Sequence, residues 1–161
     1  MTGKILDILY NNSKVTEEDI AVMLGMDIED VHSEIKAMEE ERIICGYTTM
    51  INWDKVDAEK VSAIIEVKVS PQRGRGFDSI AERIYRFDEV ESVTLMSGGY
   101  DLCVTLYGTS IKEIATFVHE KLAPLESVVS TSTHFVLKKY KEHGIVLVDE
   151  KKTGERMKIT P

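Results

Sequence analysis

Four histidines and two cysteines are the residues of this 161-residue chain with metal or nucleophile chemistry to offer, and their placement argues against both. His32, His119, His134 and His143 are scattered. No two stand four apart on a helical face, and none has a carboxylate placed to orient its ring on zinc. Cys45 and Cys103 match no zinc spacing and cannot build a disulfide framework. Neither has a neighbouring base that would make it a nucleophile, so both read as small packing residues. No metal and no cofactor is expected. Arg73-Gly74-Arg75-Gly76 ahead of a helical stretch could cradle an anion, yet its glycines read more simply as easing an exposed loop. Lys138-Lys139-Tyr140-Lys141 reads as a solvated strand end of the kind that blocks edge pairing.

Binding rather than catalysis therefore has to come from larger elements. Apolar residues make up 43% of the chain and charged residues 30%, which suits a soluble globular protein and excludes a disordered one. No apolar run approaches the roughly 18 residues that span a bilayer, and no basic-then-apolar leader is visible. With two unpaired cysteines, a reducing cytoplasm and no membrane partner are expected. The net charge of −8 lies entirely in residues 1–60, which hold 6 basic and 14 acidic residues; the remaining stretch has 14 of each. Such a split predicts two domains.

The acidic part reads as three helices. Ile5, Ile8 and Leu9 share one face between Lys4 and Tyr10. Thr16 caps a second helix, with carboxylates in the first turn where the helix dipole favours them and with Ile20, Ala21 and Leu24 inward. Gly25 permits a left-handed exit. Asp27 opens a third helix with Val31, Ile35 and Met38 inward, and the whole is a helix-turn-helix arrangement. From Ile43 to Trp53 the β-branched and aromatic residues predict extended chain: a wing, then a link to the second domain. Trp53 is expected to anchor that junction.

Beyond Lys60 the period changes. Val61, Ala63, Ile65, Val67 and Val69 alternate with Ile64, Glu66 and Lys68. A helical stripe follows at Phe77, Ile80, Ala81, Ile84 and Tyr85; strands follow at Val90 to Met96 and Leu102 to Tyr107, joined by Ser97-Gly98-Gly99-Tyr100-Asp101. Ser110 caps a helix with Ile111, Ile114, Ala115, Val118 and Leu122 inward, and Val128 to Leu137 is a fourth strand. The expected fold class is α+β: an N-terminal winged helix-turn-helix over 1–52, a linker over 53–60 and a C-terminal ferredoxin-like βαββαβ domain over 61–140. Residues 141–161 are either a frayed tail or a small hairpin turning near Gly154, with Met157 to Ile159 as its second arm. The sheet face away from the helices carries Ile64, Met96, Cys103, Tyr107 and Val136 among polar residues, and a second copy of the same sheet is expected to cover it.

Three stretches in this arrangement are similar to the Lrp/AsnC (feast/famine) family of transcription regulators. Glu41-Arg42-Ile43-Ile44-Cys45-Gly46-Tyr47 resembles the family's recognition-helix end, wing and strand entry. Met96-Ser97-Gly98-Gly99-Tyr100-Asp101-Leu102 resembles its Ser-Gly-x-Tyr-Asp turn, and Thr131-Ser132-Thr133 its Thr-x-Thr on the fourth strand. The resemblance covers nearly all of residues 3–140. It implies a RAM/AsnC-type sensor domain, DNA as a partner, a small effector such as an amino acid, and a homo-oligomer, a dimer that in the family often builds up to an octamer.

Carried over by that resemblance, the effector site involves Ser97, Gly98, Gly99, Tyr100 and Asp101, with Thr131 and Thr133. Glycine amides can hold a carboxylate, and Asp101 can accept from an ammonium. The plain alternative is a hairpin turn whose Asp101 serves only turn amides. For DNA, the cations are Lys14, Lys36 and Arg42 (with Lys4 in reserve), and His32 and Ser33 are the base readers. The third helix is unusually acidic for the family: Glu34 stands where arginine is common, and Arg42 where glycine is usual. Two other readings stay open. One is an amino-acid-binding module acting on a protein partner; the other is a tetrapyrrole enzyme like the siroheme decarboxylases, which would need more converging Arg and His than this chain supplies.

Overall fold

A computed structural model describes residues 2–56, 60–70 and 76–148. Its chain divides into two units, one over Met1–Ile51 and the other from Asn52 onward.

The first unit contains α1 (Thr2–Asn11), α2 (Glu17–Leu24) and α3 (Ile28–Glu40). Ile5, Ile20, Ala21, Val31, Ile35 and Met38 are buried together, the faces that helical spacing predicts. The start of α2 is fixed by Thr16. Its Oγ1 accepts from the Asp19 amide at 3.1 Å and donates to Asp19 Oδ2 at 3.0 Å. Gly25 ends the helix at φ +64°, where a side chain would be strained. Asp27 occupies the same position before α3 but makes no side-chain cap bond. Thr16→Ala should therefore cost about 1 kcal/mol, and Asp27→Ala less than half as much, when the two are compared by urea unfolding followed by helical circular dichroism.

The expected wing is corrected by the structure. Residues 45–52 join no strand, because the β-branched run has no second run beside it to complete a ladder. Tyr47 instead reaches back to α3, its hydroxyl donating to Glu39 Oε1 at 2.8 Å. Trp53, in a short 3-10 turn (Trp53–Lys55), is 38% exposed, and its ring lies 4.0 Å from the Lys60 ammonium.

The second unit runs β1 (Val61–Val69), α4 (Asp78–Tyr85), β2 (Val90–Leu95), β3 (Leu102–Gly108), α5 (Ile111–Phe117) and β4 (Val128–Phe135). The strands form one antiparallel sheet in the order β2-β3-β1-β4. That is the βαββαβ arrangement that alternating strand and helix patterns predict. Ala63, Ile65, Val67, Leu102, Val104 and Leu106 point from the central strands into a core closed by Ile80, Ile84, Ile114, Phe117 and Leu122.

Two helix faces differ from expectation. Tyr85 and Ile111 are each 58% exposed, and Ala115 is also exposed. The inward positions of α5 are Ile114 and Phe117, and its final turn widens so that Ala123 N–H bonds the Val118 carbonyl and carries Leu122 inward. A wide last turn shifts the buried stripe by about a residue. The fourth strand stops at Phe135, leaving Leu137 exposed, and the second at Leu95, short of Met96. A small hairpin does form near the C-terminus, but between β5 (Lys141–Glu142) and β6 (Ile145–Val146), turning at His143-Gly144 with φ +44° and +81°. Gly154 and Met157 to Ile159 lie outside the described residues, as do Arg73, Gly74 and Arg75.

Candidate functional site

The candidate DNA-contact residues all belong to the first unit. Three of them, His32, Ser33 and Lys36, are exposed on the outer side of α3. Lys14 is exposed in the turn before α2, and Arg42 follows the end of α3. Two of these side chains face carboxylates. His32 Nδ1 lies 3.1 Å from Glu17 Oε2 on α2, and Lys36 Nζ 4.0 Å from Glu40 Oε1 one turn on. Glu34, where the family favours arginine, is half-buried and accepts from Thr2 Oγ1 at 3.0 Å, tying α1 to α3. Its carboxylate holds the fold rather than facing outward.

Arg42 has a feature that sequence alone does not reveal. Its φ is +57°, a left-handed conformation that costs an ordinary side chain about 1 kcal/mol. The turn is closed by hydrogen bonds from Ile43 and Ile44 amides to the Met38 carbonyl, at 2.8 and 3.0 Å. This is the place after a helix where glycine is the unstrained choice.

In the second unit, Ser97 to Asp101 form the exposed connection between β2 and β3. Asp101 returns the chain to the sheet: its amide donates to the Val67 carbonyl at 3.1 Å, and its Oδ2 accepts from the Val69 amide at 2.9 Å. One carboxylate oxygen thus serves a backbone amide where β1 is irregular, between Lys68 and Val69. Tyr100 turns the other way. Partial burial, with Cys103 and Glu66 nearby, pushes its phenol above the ordinary pKa. Gly98 and Gly99 have no positive φ, and a Cβ built on either meets no atom within 4 Å. Within one chain, neither turn geometry nor packing asks for glycine there.

Thr131 and Thr133 are opposite Val67 and Ile65, so they lie on the helix side of the sheet, two strands from β3. The structure brings Ser97 to Asp101 together as one loop but does not turn the two threonines toward Tyr100. The other sheet face carries a polar row formed by Thr94, Cys103, Glu66 and Ser132, with Ile64 and Tyr107 beside it. His134 adds to that row, its Nε2 3.5 Å from Glu66 Oε1 and 3.3 Å from Ser132 Oγ. Sequence reasoning passed over Glu17, Glu39, Glu66 and His134 because each meets its partner only after folding. Among the described residues no group of three or more metal-ligating side chains occurs, and no helix is long and apolar enough to cross a membrane.

Residues 62–146 match the family described as Lrp/AsnC ligand binding domain, and residues 1–70 match the TFIIE alpha subunit. An HTH-type transcriptional regulator of Bacillus subtilis (strain 168), YugG, is 55% identical over 144 residues, covering 89% of this chain and 87% of its own. The leucine response regulatory protein of Mycobacterium tuberculosis superposes with a TM-score of 0.73 at 19% identity, over 86% of this chain and 92% of its own. A transcriptional regulator from Neisseria meningitidis, solved as an L-Met complex, gives a TM-score of 0.70 at 21% identity, over 88% and 91%.

Proposed function

Because the chain belongs to the Lrp/AsnC family of transcription regulators, we propose that it binds DNA through α3 as a homo-oligomer and changes its assembly when an amino acid occupies the turn from Ser97 to Asp101. The observation that carries this reading is the helix-turn-helix itself. Thr16 starts α2, Gly25 turns the chain, and the outer side of α3 is left exposed with His32, Ser33 and Lys36. DNA affinity then comes from a few phosphate contacts by Lys14, Lys36 and Arg42, multiplied by the number of reading heads in the oligomer. Activity of this kind belongs in the cytoplasm and needs no catalytic group.

The effector half rests on the openness at Gly98 and Gly99. A carboxylate can approach the amides of residues without Cβ atoms, and the missing wall is supplied by a second protomer laid against the sheet face. Ligand that contacts alternative assemblies differently shifts their populations, and with them the spacing of the DNA-binding units. The L-Met bound by the Neisseria regulator makes methionine the first amino acid to try.

The direct test is a gel shift on the DNA upstream of the protein's own coding sequence, at about 50 and 200 mM salt, with and without amino acids. The expected result is weak multi-site binding that falls at least tenfold between the two salts, since each neutralised phosphate steepens the dependence. No shift under any of these conditions sinks the reading. It would favour the alternative, a module acting on a protein partner, for which the pairing of His32 with Glu17 and Lys36 with Glu40 is the supporting observation.

Arg42 gives a sharper check. Arg42→Gly should raise the stability of the first unit by about 1 kcal/mol through relief of the left-handed strain. It should also weaken DNA binding and lower the salt slope by about one. Arg42→Lys should keep both the strain and the phosphate contact. Opposite movement of stability and affinity, measured by unfolding and anisotropy, identifies a strained cation retained for its charge.

A further inference from the structure

The first unit contains a groove of about 480 Å³ between the end of α1, the start of α2 and the side of α3 that carries His32 and Lys36, with Tyr47 at its rim. Its floor is apolar: Leu9 and Val15 are half-buried and Ile35 is buried. Its polar groups are one-sided. Glu17 and Glu39 both line it, and their polar partners in the groove are the His32 ring and the Tyr47 hydroxyl. The Lys36 side chain also borders the groove, but its ammonium is turned to Glu40, at 4.0 Å. Both carboxylates act on the same phenol, and partial burial together with the charges of Glu39 and Glu17 pushes the Tyr47 pKa upward. Negative potential is therefore concentrated at one end of an apolar trough.

We propose that this groove binds a small primary alkylammonium ion, its charged end between Glu17 and Glu39 and its chain lying along Leu9, Val15 and Ile35. Charge complementarity selects the class. A neutral alcohol lacks the cation, and an amino acid brings a carboxylate that two glutamates repel. An alkyl chain laid on the apolar floor gains about 0.8 kcal/mol per buried methylene, which an inorganic cation cannot gain. The site is separate from the effector turn, which lies in the other unit. Its consequence for transcription rests on the DNA-binding reading above. An ammonium there offsets the carboxylate that pairs with His32 and lessens the repulsion between this unit and a duplex, so DNA affinity rises.

The probe is n-pentylamine, titrated calorimetrically into the full-length protein at constant ionic strength. The controls are n-pentanol, ammonium chloride and norleucine, which is the same chain with its carboxylate. The expected result is saturable one-to-one binding of pentylamine and none of the controls, weakened at least tenfold by Glu39→Gln and by Glu17→Gln. Glu39 is exposed and Glu17 half-buried, and circular dichroism of the variants confirms that they fold. No saturable binding below about 10 mM, equal binding of norleucine, or unchanged binding in the double variant overturns the proposal. A DNA shift run beside it separates the two readings. Pentylamine binding without any DNA shift supports the groove and counts against DNA recognition; a DNA shift without pentylamine binding does the reverse. With both present, pentylamine is expected to strengthen the shift several-fold in the parent protein and not in Glu39→Gln.

Discussion

Gly99→Val is expected to leave each protomer folded while removing the response to amino acids. The protomer gives the substitution room: a Cβ at residue 99 meets nothing within 4 Å, and the backbone there is not left-handed. An exposed change of this sort usually moves stability by less than about 0.5 kcal/mol, or roughly 2 °C in melting temperature. A branched side chain nevertheless fills the space in which a ligand carboxylate would approach the Gly98 and Gly99 amides. Affinity should fall at least tenfold, about 1.4 kcal/mol. A thermal-shift screen of the twenty common amino acids against parent and variant checks both halves. If Gly99→Val keeps the parent's ligand response, the turn from Ser97 to Asp101 is a connection and nothing more.

The largest stability effect is expected at Phe117. Its ring is 4% exposed and meets Phe87 edge-on, with centroids 5.3 Å apart and planes at 89°. Lys121 lies over both rings and pairs with Glu89, so the aromatic pair also supports a charged contact at the surface. Phe117→Ala opens a cavity where α5 meets the sheet and should cost about 3–5 kcal/mol. For a domain of this size that is a urea midpoint lower by roughly 2 M. Trp53 is the single tryptophan and belongs to the second unit, so its fluorescence follows the unfolding of that unit. A loss below about 1 kcal/mol would mean that the pair is not packed as described. Phe117→Leu, which keeps most of the volume, should recover more than half of the loss.

These cases also show how far residue patterns reach. The alternation from Val61 to Val69 identifies β1 and its buried side without ambiguity, because a period of two admits one inward set. The burial of Val31, Ile35 and Met38 follows equally from helical spacing. The stripe drawn through Ile111, Ile114, Ala115, Val118 and Leu122 includes the buried Ile114 and Leu122 but leaves out Phe117, which stands one turn after Ile114 on the same buried side of a regular helix. The wide turn at Val118–Leu122 affects only the residues that follow. Extended residues without a partner strand, as at 45–52, look like a wing locally, yet a ladder depends on a second segment that local composition cannot supply.

The candidate site divides in the same manner. That His32, Ser33 and Lys36 share an outward surface follows from their spacing on α3, but Glu17, fifteen residues from His32, joins it through the packing of two helices. Asp101 is the clearest instance. Its residue type permits either an ammonium contact or a turn bond, and only the arrival of β1 beside it shows one oxygen engaged with the Val69 amide.

That engagement has a consequence of its own. A carboxylate has lone pairs for more than one donor, so Asp101 can hold the Val69 amide at the end of β1 through Oδ2 while its other oxygen accepts from a second group. An ammonium bound at that second oxygen would share one carboxylate with the tip of β1, so Asp101→Ala would loosen the strand end and the ligand contact together.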